Sequence, residues 1–429
     1  MRVHWLFLLG ASLLAAVRAS AQHEGHVMGS VDSLPGNLHV MAQAIPLVTR
    51  ANPSAGGISR AEGALTQTVL MARASGWNGA ITADAALNAE GITMPGGELN
   101  TGAYGEGFVD RRHPHTYVHE LILTARRNMG PIAVSASAGR GFAPFGTDDP
   151  MMRPLVKYPV NHHLAQILER GVAIGAVRFG VAALEASTFA GDEPASPSSL
   201  PTLRRFGDSW SARGTLAPRP GSELQTSYAR VASPEEPGGF GLDQRKRSAS
   251  ARVISSDGER YALVEWARTI DRDHSRQQDV FAYESSLAEA AVLVKAIGIA
   301  IRLEQTERPE EDRLDDPSRT PRPGSDLSIN GITRWRIATL HVAASSVTWG
   351  TVTGFPFVEA ALLAAAPRDD RAFFTPVRLY GTTRFTMLSF GWRLRAGGVH
   401  ARMGRYGVAL REGPAIASLS GRSHAAHAH

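Results

Sequence analysis

The chain has no cysteine, only three lysines and few aromatic residues. After its first residues, no apolar run reaches the length of a membrane helix. The absence of cysteine excludes disulfides, which small exported domains often need and a large barrel does not. The absence of a second run of 18 or more uncharged apolar residues excludes a helical inner-membrane protein. No block of like charge is present, which argues against nucleic acid as a partner. Lys157, Lys246 and Lys295 are the only lysines, so 42 of the 45 basic residues (45 − 3) are arginine. Arginine presents a planar fork to phosphate and carboxylate. It suits lipopolysaccharide phosphates or an anion-lined pore, although an Ala-, Arg- and Gly-rich composition gives the same bias.

Met1 to Ala21 reads as a secretory leader. Arg2 gives the positive start, Trp5 to Val17 is apolar, and Ala19-Ser20-Ala21 has the small-x-small pattern of a cleavage site. Removing it takes Arg2 and Arg18 and no acid, so the formal charge falls from +5 to +3 (5 − 2). Residues 22–37 are polar and read as a flexible periplasmic segment. The barrel is expected over 38–396, and 397–429 as a C-terminal tail.

The pattern that defines the fold is clearest in Lys295 to Gln305. Ile297, Ile299, Ile301 and Leu303 fall on one face of a strand. Gly298, Ala300, Arg302 and Glu304 fall on the other. Residues 382–396 repeat it, with Thr386, Leu388, Phe390, Trp392 and Leu394 opposite Ser389, Gly391, Arg393 and Arg395. An arginine facing lipid near the midplane costs about 2–4 kcal/mol, so the arginine face looks inward. Further strands are expected near 38–50, 64–76, 79–92, 115–127, 131–142, 164–179, 181–190, 207–217, 222–233, 243–256, 259–270, 278–292, 330–346 and 351–366. With those near 295–307 and 382–396 they make about 16. Short turns, such as Trp77-Asn78 and Asn128 to Gly130, alternate with long connections, such as 93–114 and 143–163. Outer-membrane barrels have short periplasmic turns and long outer loops. The parity of that alternation keeps the first strand despite Pro46. Strands of about 10–15 residues suit a bilayer crossing better than a soluble sandwich. The expected fold is therefore all-β: a transmembrane, antiparallel, up-and-down β-barrel in the cell outer membrane.

Asp110-Arg-Arg-His-Pro-His-Thr-Tyr-Val-His-Glu120 and the run from Gly141 to His163 resemble segments of uncharacterised porin-like outer-membrane proteins of Gram-negative bacteria. So does the leader-proximal His23, His26 and Met28. The resemblance spans roughly residues 22–396. It implies a barrel and carries no activity or site residues. The chain departs from the common pattern at its C-terminus, which runs on past the last expected strand instead of closing on an aromatic residue. An extra strand near 399–410 is one way to read this, a tail the other.

Two sets of residues are candidates for function. The connection 143–163 is the third long loop, the one that narrows the channel in 16-stranded diffusion porins. It holds Pro144, Pro150, Pro154 and Pro159, which restrict its backbone. It also holds Asp148, Asp149, Arg153 and Lys157, opposed charges that would set a transverse field in a constriction. Arg302, Arg393 and Arg395 are the expected basic wall opposite the two acids. The second set is His113, His115, His162 and His163, at the tops of strands about 10 Å apart, where imidazoles could hold copper or zinc. The tails add His23, Glu24, His26 and Met28, and His424, His427 and His429. No catalytic constellation is legible: His119-Glu120 lacks the second histidine of a zinc helix, and there is no phosphate loop. The function expected is a porin-like channel for small polar or anionic solutes, with no resident cofactor and with outer-membrane lipid as surroundings. The alternatives are a copper- or zinc-handling barrel and a structural or adhesive barrel with a closed lumen. An open lumen would accept Ala300→Arg, while Ile299→Arg would put a charge in lipid.

Overall fold

The computed structural model describes residues 38–94, 97–101, 115–160, 162–236, 238–311, 329–369, 375–397, 402–409, 414 and 416. The expected leader and the segment 22–37 lie outside these residues, as do His113 and the histidines of both tails.

A single antiparallel sheet closes on itself. Its strands are β1 (Leu38–Asn52), β2 (Arg60–Gly76), β3 (Ile81–Asn88), β4 (Val118–Met129) and β5 (Ile132–Gly141). Then come β6 (Arg170–Phe179), β7 (Ala182–Phe189), β8 (Ser209–Leu216), β9 (Ser222–Val231), β10 (Asp243–Ile254) and β11 (Arg260–Asp273). The circuit ends with β12 (Gln278–Val294), β13 (Ile297–Glu311), β14 (Ile329–Ala343), β15 (Val347–Trp349), β16 (Val352–Pro367) and β17 (Arg384–Gly397). β14 and the three-residue β15 both pair with β16, so β15 prolongs the same stave after a break. The barrel thus has sixteen staves. β17 pairs with β1 to close it, with Val48 opposite Phe390 and Arg50 opposite Leu388. Each expected strand is found, and Leu38 to Asn52, kept on parity alone, supplies the closing seam.

Alternation decides which face is wet with lipid. Ile297, Ile301 and Leu303 of β13 are exposed, while Ala300, Arg302 and Glu304 are buried. Leu388 and Phe390 of β17 are exposed, while Ser389, Arg393 and Arg395 are buried. Leu121, Leu123, Val264, Leu340 and Leu362 continue the outer apolar band. Near the short-turn end, the rings of Trp349 and Trp392 lie 5.4 Å apart, where an aromatic girdle sits in such barrels.

The expected strands overrun at three places. Residues 89–92, 115–117 and 164–169 are not strand. Two of these segments carry short helical turns, Glu90–Thr93 and His162–Ala165. In each case the chain turns inward, and polar side chains such as Glu90, His115 and Glu169 bond one another's loops and the inner faces of β2 and β4. The possible strand near 399–410 does not form among the described residues. Residues 402–409 instead enter the barrel, where Met403, Tyr406 and Val408 are buried.

Candidate functional site

The third long connection, between β5 and β6, folds into the lumen. Its path begins at Gly146, with φ +69°, where a Cβ would collide with the carbonyl oxygen of Ala165. Only glycine accepts that conformation and that approach together. Gly146 N–H donates to Ser227 Oγ of β9 at 3.0 Å, and Arg213 of β8 donates to its carbonyl at 3.1 Å. Asp149 caps the short turn Pro150–Met152 by accepting from Met151 N–H at 2.8 Å. The chain then crosses to the far wall. Val156 N–H and Lys157 N–H donate to the two oxygens of Glu359 on β16, at 2.8 and 3.0 Å. Val160 N–H donates to Glu304 on β13 at 2.9 Å. Arg393 on β17 donates to the carbonyls of Arg153, Pro154 and Leu155 at 3.1–3.2 Å. A loop without secondary structure must satisfy its backbone groups elsewhere, and here charged side chains of the wall do so.

All four expected constriction residues point into this interior, and all are buried. Asp148 accepts two bonds from Arg402 at 2.6 Å and one from Arg252 at 2.5 Å. Burial alone would raise its carboxyl, but Arg402 and Arg252 hold it well below the usual carboxylate range. Arg153 lies 3.4 Å from Glu265 and 3.7 Å from Glu289. Lys157 Nζ pairs with Glu98. The basic partners are not the expected ones. Arg302 serves Glu304, Glu289 and the Lys157 carbonyl, and Arg395 binds Gln43. Those arginines sit on strands beneath the middle of the loop, whereas Asp148 lies at its start, beside β9 and β10.

The C-terminal segment meets the loop at Asp148. Arg402 also pairs with Glu223 of β9, which Arg252 shares. Arg213 and Glu185 form a two-bond pair at 2.7 and 2.8 Å below it. Tyr406 donates its hydroxyl proton to Glu120 at 2.5 Å and accepts from Phe142 N–H at 3.0 Å. Apolar residues pack beside these pairs: Met41, Met71, Phe142, Met151, Tyr158 and Met403 form one cluster. Two cavities border the loop, each of about 10 Å³, one beside Lys157, Tyr158 and Arg302, the other beside Pro154, His341 and Arg393. Each is about the size of one water molecule.

Of the expected metal residues, His115 and His162 come together with Nε2 atoms 3.4 Å apart. They are buried in the lumen, not spread along a rim 10 Å apart, because both loops dip inward before their strands begin. His163 belongs to the turn His162–Ala165, and His113 lies outside the described residues. His115 Nδ1 is 2.7 Å from Glu90. Burial opposes a charge on that ring, but the hydrogen bond and charge of Glu90 outweigh it and raise the imidazolium pKa to about 9. His119, set aside in the sequence, joins the group: its ring lies 5.1 Å from that of His115, and Nδ1 is 2.5 Å from Glu169. The one available signal was three histidines within residues 113–119. Glu90 is itself fixed by a bulge in β2, where Gln67, at φ +47°, donates its N–H to Glu90 at 2.6 Å.

No family model and no curated protein matches the chain. Among solved structures it is similar to an anion-selective porin from Comamonas acidovorans, with 12% identity and a TM-score of 0.50, over 85% of this chain and 100% of that one. A loop-deletion mutant of OmpT, an outer-membrane protein of Vibrio cholerae, aligns with 8% identity and a TM-score of 0.48, over 84% and 99%. OccK2 of Pseudomonas aeruginosa, in complex with glucuronate, aligns with 11% identity and a TM-score of 0.36, over 85% and 99%. At such identities the likeness is one of fold, and it rests on the first of the three. Closure into sixteen staves, outward apolar faces and an inward third loop agree with it: the chain is a porin-like β-barrel.

Proposed function

We propose that the protein is an outer-membrane channel for small polar or anionic solutes, held closed by two segments inside its lumen. The observation that carries this reading is the meeting of loop 143–163 with residues 402–409 at the Asp148–Arg402 pair, inside a porin-like barrel. Arg393, which bonds backbone carbonyls instead of a carboxylate, favours anions over cations once a path exists. Asp148, Asp149, Arg153 and Lys157 then act as the constriction, their charges matched while closed and free to act on solute when the tail leaves. Planar-bilayer recording of the purified full chain tests this. The wild type should be mostly silent, with rare openings. Arg402→Glu, which sets a third acid beside Asp148 and Glu223, should open it often, with a reversal potential favouring anions. Silence of both proteins under all voltages would leave a closed, structural barrel.

A second reading, a metal-handling barrel, is favoured by the approach of His115 to His162.

A further inference from the structure

Three buried histidines from two outer loops and β4 lie together where the lumen is covered by the long loops. The rings of His115 and His162 are 5.6 Å apart between centroids, and those of His115 and His119 are 5.1 Å apart. Each of two rings has its Nδ1 on a carboxylate: His115 on Glu90 and His119 on Glu169. Those carboxylates are also fixed. Glu90 takes the N–H of Gln67, and Glu169 takes the N–H of Thr116 at 2.9 Å. A histidine whose Nδ1–H is held by a carboxylate presents Nε2 as a ligand once the ion displaces the proton there, the usual arrangement around a metal-bound imidazole. Two nitrogens on one tetrahedral zinc, at about 2.0–2.1 Å each, stand about 3.3–3.4 Å apart. The Nε2 atoms of His115 and His162 are 3.4 Å apart.

Two further polar atoms are fully buried with no hydrogen-bond partner: His119 Nε2 and Asp149 Oδ2. Asp149 lies near enough to His119 and His115 to interact with both, and its other oxygen is fixed on Met151 N–H. Buried polar atoms left unmatched call for an explanation such as an absent ion. We propose that His115 and His162, completed by His119 and Asp149, form a binding site for a zinc-class divalent ion, with Glu90 and Glu169 orienting two of the imidazoles. Among the described residues no three such groups already surround one point, so binding needs rotation of the Asp149 carboxylate toward the existing pair and a tilt of the His119 ring about its Nδ1–Glu169 contact. The donor set has imidazole and carboxylate but no thiolate, which suits zinc over copper(I). The ion would tie loop 143–163, through Asp149 and His162, to the loop that precedes β4, through His115. This gives the metal-handling reading a defined site, and the site stands whether or not the barrel conducts.

The test is cobalt(II) titration of the folded full chain in detergent, followed by visible absorption, with zinc as competitor. Histidines of the two tails are present in every sample, so the comparison is between proteins. The wild type should bind one more equivalent than the double variant His115→Gln with His162→Gln. Glu90→Gln should keep the stoichiometry and weaken the affinity of that equivalent about 10–100-fold, as loss of an orienting carboxylate does. Equal stoichiometry and affinity in wild type and double variant would overturn the proposal and leave a shared proton as the link between the two rings. If the variants do not assemble, anomalous diffraction from zinc-soaked wild-type crystals decides. A peak between His115 and His162 supports the site; zinc only at the tails, or nowhere, overturns it.

Discussion

The two segments that fill the lumen are held in different ways. Loop 143–163 is tied to the sheet at both ends and is gripped through its backbone as well as through the ion pairs of Asp148, Arg153 and Lys157. Glu359, Glu304 and Arg393 reach from the wall to its amides and carbonyls. Residues 402–409 are gripped largely through their own side chains, by Arg402 on Asp148 and Glu223 and by Tyr406 on Glu120. Beyond them Ile416 is buried against Leu155, Ile254 and Tyr261. A backbone grip survives most substitutions within the segment; a side-chain grip concentrates in a few positions. In the channel proposed above, the loop with its more numerous wall contacts is the fixed part, and the C-terminal segment is the part that leaves.

Five substitutions test that contrast, in falling order of effect. Arg402→Ala leaves Asp148 with Arg252, and Glu223 with Arg252 and the more distant Arg405; breaking a buried pair on one side costs about 3–5 kcal/mol. Hydrogen exchange should then quicken at Met403 to Tyr406 and stay slow at Val156 and Lys157. Equal quickening in both would mean that the two segments move as one. Ile299→Arg and Ala300→Arg separate the barrel from its contents. The first places a charge in lipid at about 2–4 kcal/mol and should reduce heat-resistant barrel on gels. Ala300 adjoins Pro154 and Arg393, so the second should spare the barrel and unseat the loop. Its tolerance with an unmoved loop would contradict the filled lumen. Tyr406→Phe removes a bond to a carboxylate, about 1.5–3 kcal/mol, and should raise proteolysis of the C-terminal segment without exposing the loop. Glu359→Gln keeps the shape but removes the charge that holds Val156 and Lys157 N–H, an effect of about 1 kcal/mol. It should quicken exchange at those two amides alone.

The sheet was legible because one of its faces meets lipid. That contact forbids charge at alternate positions, so Ile297 to Leu303 and Thr386 to Leu394 announce their facing. Arg50, Glu62 and Arg73 soften the signal in the first two strands, and there loop parity carried the reading. The filling was less legible. The charges of 143–163 stand out in sequence, but their partners come from strands and a tail up to 254 residues away, and no local pattern pairs Asp148 with Arg402. His115 and His162 were picked out by type, yet their contact depends on both loops leaving the sheet before the strands begin. His119 was passed over because His119-Glu120 was weighed only as half of a zinc helix, whose second histidine is missing.

Lysine is so scarce that its placement becomes a chemical tool. Lys157 and Lys246 are buried, while Lys295 is exposed at a two-residue turn, in a left-handed conformation with φ +58°. An impermeant amine reagent thus finds one reactive side chain on the folded barrel, and that side chain is on the short-turn end. On intact cells it should leave the barrel unlabelled. After the outer membrane is opened it should modify Lys295 and the chain's amino terminus. Labelling of Lys295 on intact cells would turn the barrel upside down.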